Sequence, residues 1–188
     1  MSSNKACVFS MRNHRIWRYA QKRKRFSTSK LTQLLGVQLA GLRPYLNALR
    51  AAGYFEVEGA GNMAGEYTWR LVRNTGPAAP MLWKGRTELY DPNGSGFVAF
   101  SQQRLWNALR ISGCLSYYDA MARAEVSQTL CLTYFAALKR TGLAQRCQEA
   151  YDAPVFWQLV NDIGPYCPVL IKGRLFDQVR DTFLEETR

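Results

Sequence analysis

The chain has 188 residues, 47% of them hydrophobic and 21% charged, a balance that suits a folded globular protein and excludes general disorder. Its formal charge of +11 is unevenly placed: residues 1–94 carry 15 Lys and Arg against 5 Asp and Glu, whereas residues 95–188 carry 10 against 9. A basic field held on one half attracts polyanions by releasing counterions from phosphates. With no apolar run near the ~20 residues of a membrane span and no apolar signal-peptide core, a cytoplasmic protein without membrane contact is expected.

In chain order, Ile16, Trp17, Tyr19 and Ala20 recur at helical spacing before the basic run Lys22-Arg23-Lys24-Arg25, which suits a helix C-terminus. Ser27-Thr28-Ser29 offers N-cap hydroxyls to a short second helix whose Leu31, Leu34 and Leu35 are expected on one buried face, with Gly36 ending it. Leu42, Leu46 and Leu49, with Tyr45 beside them, form the buried stripe of a third helix closed by Gly53. Pro44 is comfortable only near a helix start, so that helix is expected to begin as late as Gly41 or to bend there. Residues 54–58 and 67–72 alternate about a turn rich in Gly59, Gly61 and Gly65, the pattern of a β-hairpin.

The second half repeats the first. Arg15 to Tyr54 aligns without a gap on Arg104 to Leu143, with eight identities in 40, and Trp69 to Arg86 aligns on Trp157 to Arg174, with ten in 18. The Gly/Pro-rich stretch at 91–96 lies between the copies and suits a linker, which divides the chain into a strongly basic part, 1–93, and a near-neutral part, 94–188. The shared Gly-Pro-x-x-Pro-x-Leu-x-Lys-Gly-Arg segment reads as an extended arm packing on its own domain, with Lys84 and Arg86 suited to either packing or binding. The matched tryptophans Trp17/Trp106 and Trp69/Trp157 read as core residues rather than base-stacking platforms. Copy two replaces the basic run by Ile111-Ser112-Gly113-Cys114, Lys30 by Asp119 and Arg43 by Leu132, and its third helix is expected to expose Leu130, Cys131 and Leu132 to a protein partner or to a second copy. Lys139, Arg140 and Arg146 remain there as a weaker phosphate grip.

The order helix, helix, helix, hairpin, carried by RFSTSKLTQLLGVQLAGLRPYLNALRAAGYFEV within residues 12 to 73, resembles the winged helix-turn-helix of many bacterial regulators. The resemblance implies an α+β fold, mainly helical, of two tandem winged helices, each with three helices and a β-hairpin wing. It also implies a third helix in the major groove of double-stranded DNA and a wing on the flanking backbone. Carried over to this chain, Gln38, Leu39, Ala40, Arg43 and Asn47 would face the bases. Lys22, Arg23, Lys24, Arg25, Thr28, Lys30, Arg50, Arg70 and Arg73 would meet phosphates.

Signals for catalysis are absent. The single histidine, His14, is expected exposed near the start of the first helix and forms no metal cluster, and the sequence has no G-x-S-x-G, Walker or H-E-x-x-H pattern. Gly59-Ala60-Gly61 lies between strands and so suits a wing turn rather than a dinucleotide loop. Five cysteines (Cys7, Cys114, Cys131, Cys147, Cys167) with no C-x-x-C pair read as reduced thiols. The expectation is a non-enzymatic DNA-binding protein with no cofactor or metal, a transcriptional regulator of a bacterium, phage or mobile element. The alternatives are a plasmid or phage replication initiator and a winged-helix module that holds a protein partner.

Overall fold

The computed structural model describes residues 9–61, 64–83, 88–93, 100–148 and 155–187; Cys7, Lys84, Arg86 and residues 94–96 of the linker lie outside them. The chain divides into two compact units, Met1–Phe97 and Val98–Arg188.

In unit 1, α1 (Met11–Arg23) starts where Ser10 Oγ accepts the Asn13 N–H and stops at Lys24, whose own N–H closes on Ala20 O at a φ of 63°. The three-residue strand β1 (Arg25–Ser27) leads into α2 (Thr28–Leu35), capped by Ser27 Oγ on the Lys30 N–H and ended by Gly36 in the left-handed region. Helix α3 (Leu39–Ala51) follows, then β2 (Phe55–Ala60) and β3 (Tyr67–Leu71). Because α3 starts at Leu39, Pro44 is its sixth residue and lies inside it, not at a start near Gly41. The hydrogen bond Pro44 fails to donate would have ended on the carbonyl of Ala40, an exposed residue that water reaches, which lowers the cost of a proline there.

Helical stripes of α1 and α3 close on the sheet: Ile16, Trp17, Ala20, Leu42, Tyr45, Leu46 and Leu49 pack with Phe26, Phe55 and Trp69. Trp17 stacks on Phe55 with centroids 6.3 Å apart, and Phe26 meets Phe55 edge-on at 5.5 Å. Beyond β3 the chain crosses its own helices as an extended arm. Trp17 Nε1 donates to Gly76 O at 2.9 Å and the Tyr45 hydroxyl donates to Pro80 O at 2.8 Å. The arm ends in a small pair, β4 (Met81–Leu82) with β5 (Leu89–Tyr90).

Unit 2 repeats the plan with α4 (Ser101–Ser112), β6 (Cys114–Ser116), α5 (Tyr117–Ala124), α6 (Gln128–Arg140), β7 (Ala144–Cys147) and β8 (Phe156–Leu159). Its arm is held by the same pair of bonds, Trp106 Nε1 to Gly164 O at 2.8 Å and the Tyr134 hydroxyl to Pro168 O at 3.0 Å. It then forms a meander of β9 (Val169–Ile171), β10 (Arg174–Asp177) and β11 (Thr182–Phe183).

The expectation of a mainly helical fold with a two-stranded wing in each copy is corrected. Among the described residues 42% are helical and 24% lie in strands, with six helices and 11 strands in four small sheets. Each wing hairpin takes a third, antiparallel strand from between the first two helices, in the orders β1-β3-β2 and β6-β8-β7. The two- to four-residue strands of the arms are too short to show a period.

Three burial expectations are also corrected. His14 is fully buried, with its ring 5.8 Å from that of Phe9. Leu34 is 56% exposed, because the two-turn α2 points Thr28, Leu31 and Leu35, at i, i+3 and i+7, towards the core. Cys131 is buried, since the stripe of α6 runs Cys131, Tyr134, Phe135, Leu138, with Cys131 standing where copy one has Leu42; Leu130 is half-buried and only Leu132 of the expected trio is exposed. No helix among the described residues is long and apolar enough to cross a membrane.

Burial holds the Tyr45 and Tyr134 hydroxyls and the Cys167 thiol well above their ordinary values. The folded chain keeps these protons after the unfolded chain has released its own, so their contribution is complete at neutral pH and is lost as pH rises past the ordinary values of about 8.5 for thiols and about 10 for tyrosines. The urea midpoint should therefore be level near neutrality and fall above about pH 9. Tyr45→Phe or Tyr134→Phe should cost ~1 kcal/mol at pH 7 and flatten the alkaline fall, measured by urea unfolding at pH 7 and 10.

Candidate nucleic-acid interface

Opposite the core stripe of α3 stands a polar one. Leu39, Arg43, Asn47 and Arg50 share one side of the helix and, with Leu46, form one wall of a cleft of about 320 Å³; Thr28, Val57, Gly65, Tyr67 and Trp69 form the rest. The resemblance assigned four of these to DNA from the sequence of α3, and the fold does bring those four together. Gln38 and Ala40 are exposed at the start of the same helix, where Gln38 is the N-cap but makes no side-chain capping bond.

Gly65 sets how close the hairpin turn comes to α3. A Cβ built on it would fall 2.5 Å from Leu39 Cδ2 and 2.6 Å from Arg43 Nη2, and its φ of +83° already disfavours any other residue. The turn therefore flanks the Arg43 guanidinium and limits its range. The next residue, Glu66, reaches back to α2, where its Oε1 accepts from Ser29 Oγ at 2.9 Å.

Thr28 is corrected from phosphate ligand to structural hub. Its side chain is buried, accepting from Trp69 Nε1 at 3.0 Å and from the Tyr67 N–H at 3.2 Å while donating to Tyr67 O at 3.1 Å. It ties the start of α2 to β3 at the base of the cleft.

Arg25 and Arg70 also have another occupation. They are cross-strand partners in the β1–β3 ladder, where like charges repel. Glu56 and Glu58 on β2 offset this: Glu58 lies 3.1 Å from Arg25 Nε and 3.0 Å from Arg70 Nε, and Glu56 accepts from Arg70 Nη2 at 2.5 Å. Arg73 lies 5.1 Å above the Tyr54 ring. The Tyr54 hydroxyl donates to Asp91 at 2.9 Å and is pushed up to about 12, by burial first and by that bond second.

Six of the cations that the resemblance assigned to DNA have no such duties. Lys22, Arg23, Lys24, Lys30, Arg43 and Arg50 are exposed, and no described residue forms an ion pair with them. They sit at the end of α1, in the first turn of α2 and along α3. Sequence reasoning missed the restraining residues, namely Gly65, Glu66 and the pair Glu56 and Glu58. The alternation of Glu56 and Glu58 on β2 was visible, but the register that places them beside Arg25 and Arg70 was not. Arg12 was missed as well; its Nη1 donates to Gly41 O at 3.1 Å and braces α1 against the start of α3.

In unit 2 the matching positions lose this character, with Leu132 for Arg43, Ala136 for Asn47 and Tyr117 for Thr28. No protein-family model matches the sequence, and no curated protein matches it either.

The Thr28 hub makes a direct prediction. Thr28→Val keeps the shape but leaves the buried Trp69 N–H unpaired, at a cost of ~1–3 kcal/mol. Thr28→Ser should recover most of that loss in urea unfolding. Equal stability of Thr28→Val and the parent would remove the hub role.

Proposed function

We propose that the chain is a non-enzymatic, cytoplasmic DNA-binding protein of the regulator type and that unit 1 holds the duplex in the manner implied by its resemblance to winged helix-turn-helix proteins. In this reading the first half of α3 enters the major groove, where Arg43 bridges guanine O6 and N7 and Gln38 or Asn47 pairs with adenine. Lys22, Arg23, Lys24, Lys30 and Arg50 take phosphates, with Arg73 beside them. Arg25 and Arg70 serve the sheet.

The observation that carries this reading is that six of the cations the resemblance assigns to DNA are exposed and have no ion-pair partner among the described residues, in the unit that holds nearly all of the net charge. A charge kept only for solubility gains nothing from being left unpaired in one place. Lys24 supplies a second, independent support. Its backbone φ is 63°, and at the matching position copy two has Gly113 at φ 66°. A lysine in that region costs ~1–2 kcal/mol that glycine avoids, a cost that phosphate contact by its ammonium group would offset.

Two measurements test the proposal. On duplex DNA the logarithm of affinity should fall linearly with the logarithm of salt, with a slope of about −4.5 if the five cations assigned to phosphates meet them. Indifference to DNA at low salt would overturn it. Lys24→Gly should raise fold stability by ~1 kcal/mol and yet weaken binding to every duplex alike, whereas Arg43→Ala should cost ~1–3 kcal/mol chiefly on the preferred sequence.

A further inference from the structure

The matching cleft in unit 2 has changed its chemistry rather than closed. It is a cavity of about 920 Å³ against about 320 Å³ in unit 1. The larger figure lies inside the range of about 300–1,000 Å³ typical of small-molecule sites. Its walls are apolar and aromatic, including Tyr117, Tyr118, Leu132 and Trp157, and two of these, Tyr118 and Leu132, are 80% and 50% exposed.

Three cations border it, and they are not equivalent. Arg140 is engaged, with Nε 2.9 Å from Glu186 and Nη2 donating to Gly173 O. Lys139 has no hydrogen-bond or ion-pair partner among the described residues, and Arg146 makes one neutral bond, from Nη2 to Gln148 Oε1. Positive charge is therefore available beside an apolar chamber.

The tryptophan common to both clefts supplies a third, independent mark. In unit 1 the Trp69 N–H is taken by Thr28. In unit 2 Thr28 is replaced by Tyr117, whose hydroxyl turns away to donate to Gln128 O at 3.0 Å. The Trp157 N–H has no partner among the described residues and stays accessible to water or a ligand at the chamber that the residue lines. Such a donor is satisfied by water or by a ligand acceptor.

We propose that this chamber is a binding site for a small amphipathic organic anion. The ligand's flat or aliphatic body lies against Tyr117, Tyr118 and Leu132, an acceptor meets the Trp157 N–H, and its acidic group is held by Lys139 and Arg146. The inference stands apart from the DNA reading, because none of its residues belongs to unit 1. A small ligand suits the site, because a cavity of about 920 Å³ with a free indole donor and two available cations has small-molecule dimensions, whereas a protein interface is broad and flat.

The test uses the full chain with 8-anilinonaphthalene-1-sulfonate, an aromatic anion, and N-phenyl-1-naphthylamine, its uncharged counterpart. One sulfonate probe should bind per chain in calorimetric titration. Leu132→Glu, which sets a carboxylate against the apolar wall at an exposed position, should abolish binding of the sulfonate probe, while circular dichroism and the unfolding midpoint stay at the parent values. The double change Lys139→Gln with Arg146→Gln should weaken the sulfonate probe about tenfold or more and leave the uncharged one unmoved. In a ¹⁵N spectrum the indole resonance that disappears in Trp157→Phe should shift on addition of the sulfonate probe. Unchanged affinity in either variant, several probe molecules per chain, or an unmoved indole resonance would overturn the assignment. A dimer that Leu132→Glu dissolves, with no probe bound by the parent, would give the chamber to a second copy and overturn it too. DNA titration of the same variants keeps the two readings separate, since unit 1 is untouched.

Discussion

Two hydrogen bonds hold each unit together as a unit. The indole of the first helix reaches a glycine carbonyl, and the tyrosine of the third helix reaches a proline carbonyl, so that an arm with little secondary structure of its own is fixed across two helices. Both donors are aromatic groups that bury a large apolar body and need one polar partner. Both acceptors belong to a segment whose prolines, having no N–H, leave fewer donors to satisfy. The arm thus serves as the lid of the core and as the partner of its two buried polar tips. The helical stripes and the three-stranded sheet are assembled beneath that lid, and the best preserved part of the repeat is the part that makes it.

With the skeleton shared, the two copies differ mainly on the cleft between the third helix and the sheet. In unit 1 the threonine at its base is spent on the tryptophan, and the walls carry Arg43, Asn47 and Arg50. In unit 2 a tyrosine replaces the threonine, the tryptophan is released, and leucine and alanine widen the space. Exchange of a few side chains on one scaffold converts a narrow polar cleft into a roomy apolar one. This is the sense in which function sits on a fold rather than following from it.

The repeat, the helix limits other than the start of α3, and the arm were legible in the sequence because each rests on local chemistry, namely caps, glycines at left-handed positions and hydrophobic spacing. What was misread depended on partners far along the chain. Thr28 looks like an N-cap hydroxyl and is a buried hub because Trp69, 41 residues on, takes its oxygen. Arg25 looks like part of a helix-end basic run and Arg70 like a wing cation until the strand register sets them against each other and brings Glu56 and Glu58 beside them. Leu34 and Cys131 were placed by spacing within helices too short, or too mixed, to show which of two neighbouring stripes faces inward. The third strand of each sheet escaped notice because three residues show no alternation.

The reach of the arm also bears on how the protein is made. Trp17 waits 59 residues for Gly76 and Tyr45 waits 35 for Pro80, so these two ties of α1 and α3 cannot form until the arm has left the ribosome. Once it has, nothing in those bonds depends on the second half, and the first unit completes its core while the second is still being translated. A near-duplicate sequence emerging next would otherwise compete for the same helices. The order of synthesis, with each arm following its own helices, gives every pair of aromatic donors its own acceptors before the rival set exists, which guards a tandem repeat against exchanging parts between its halves.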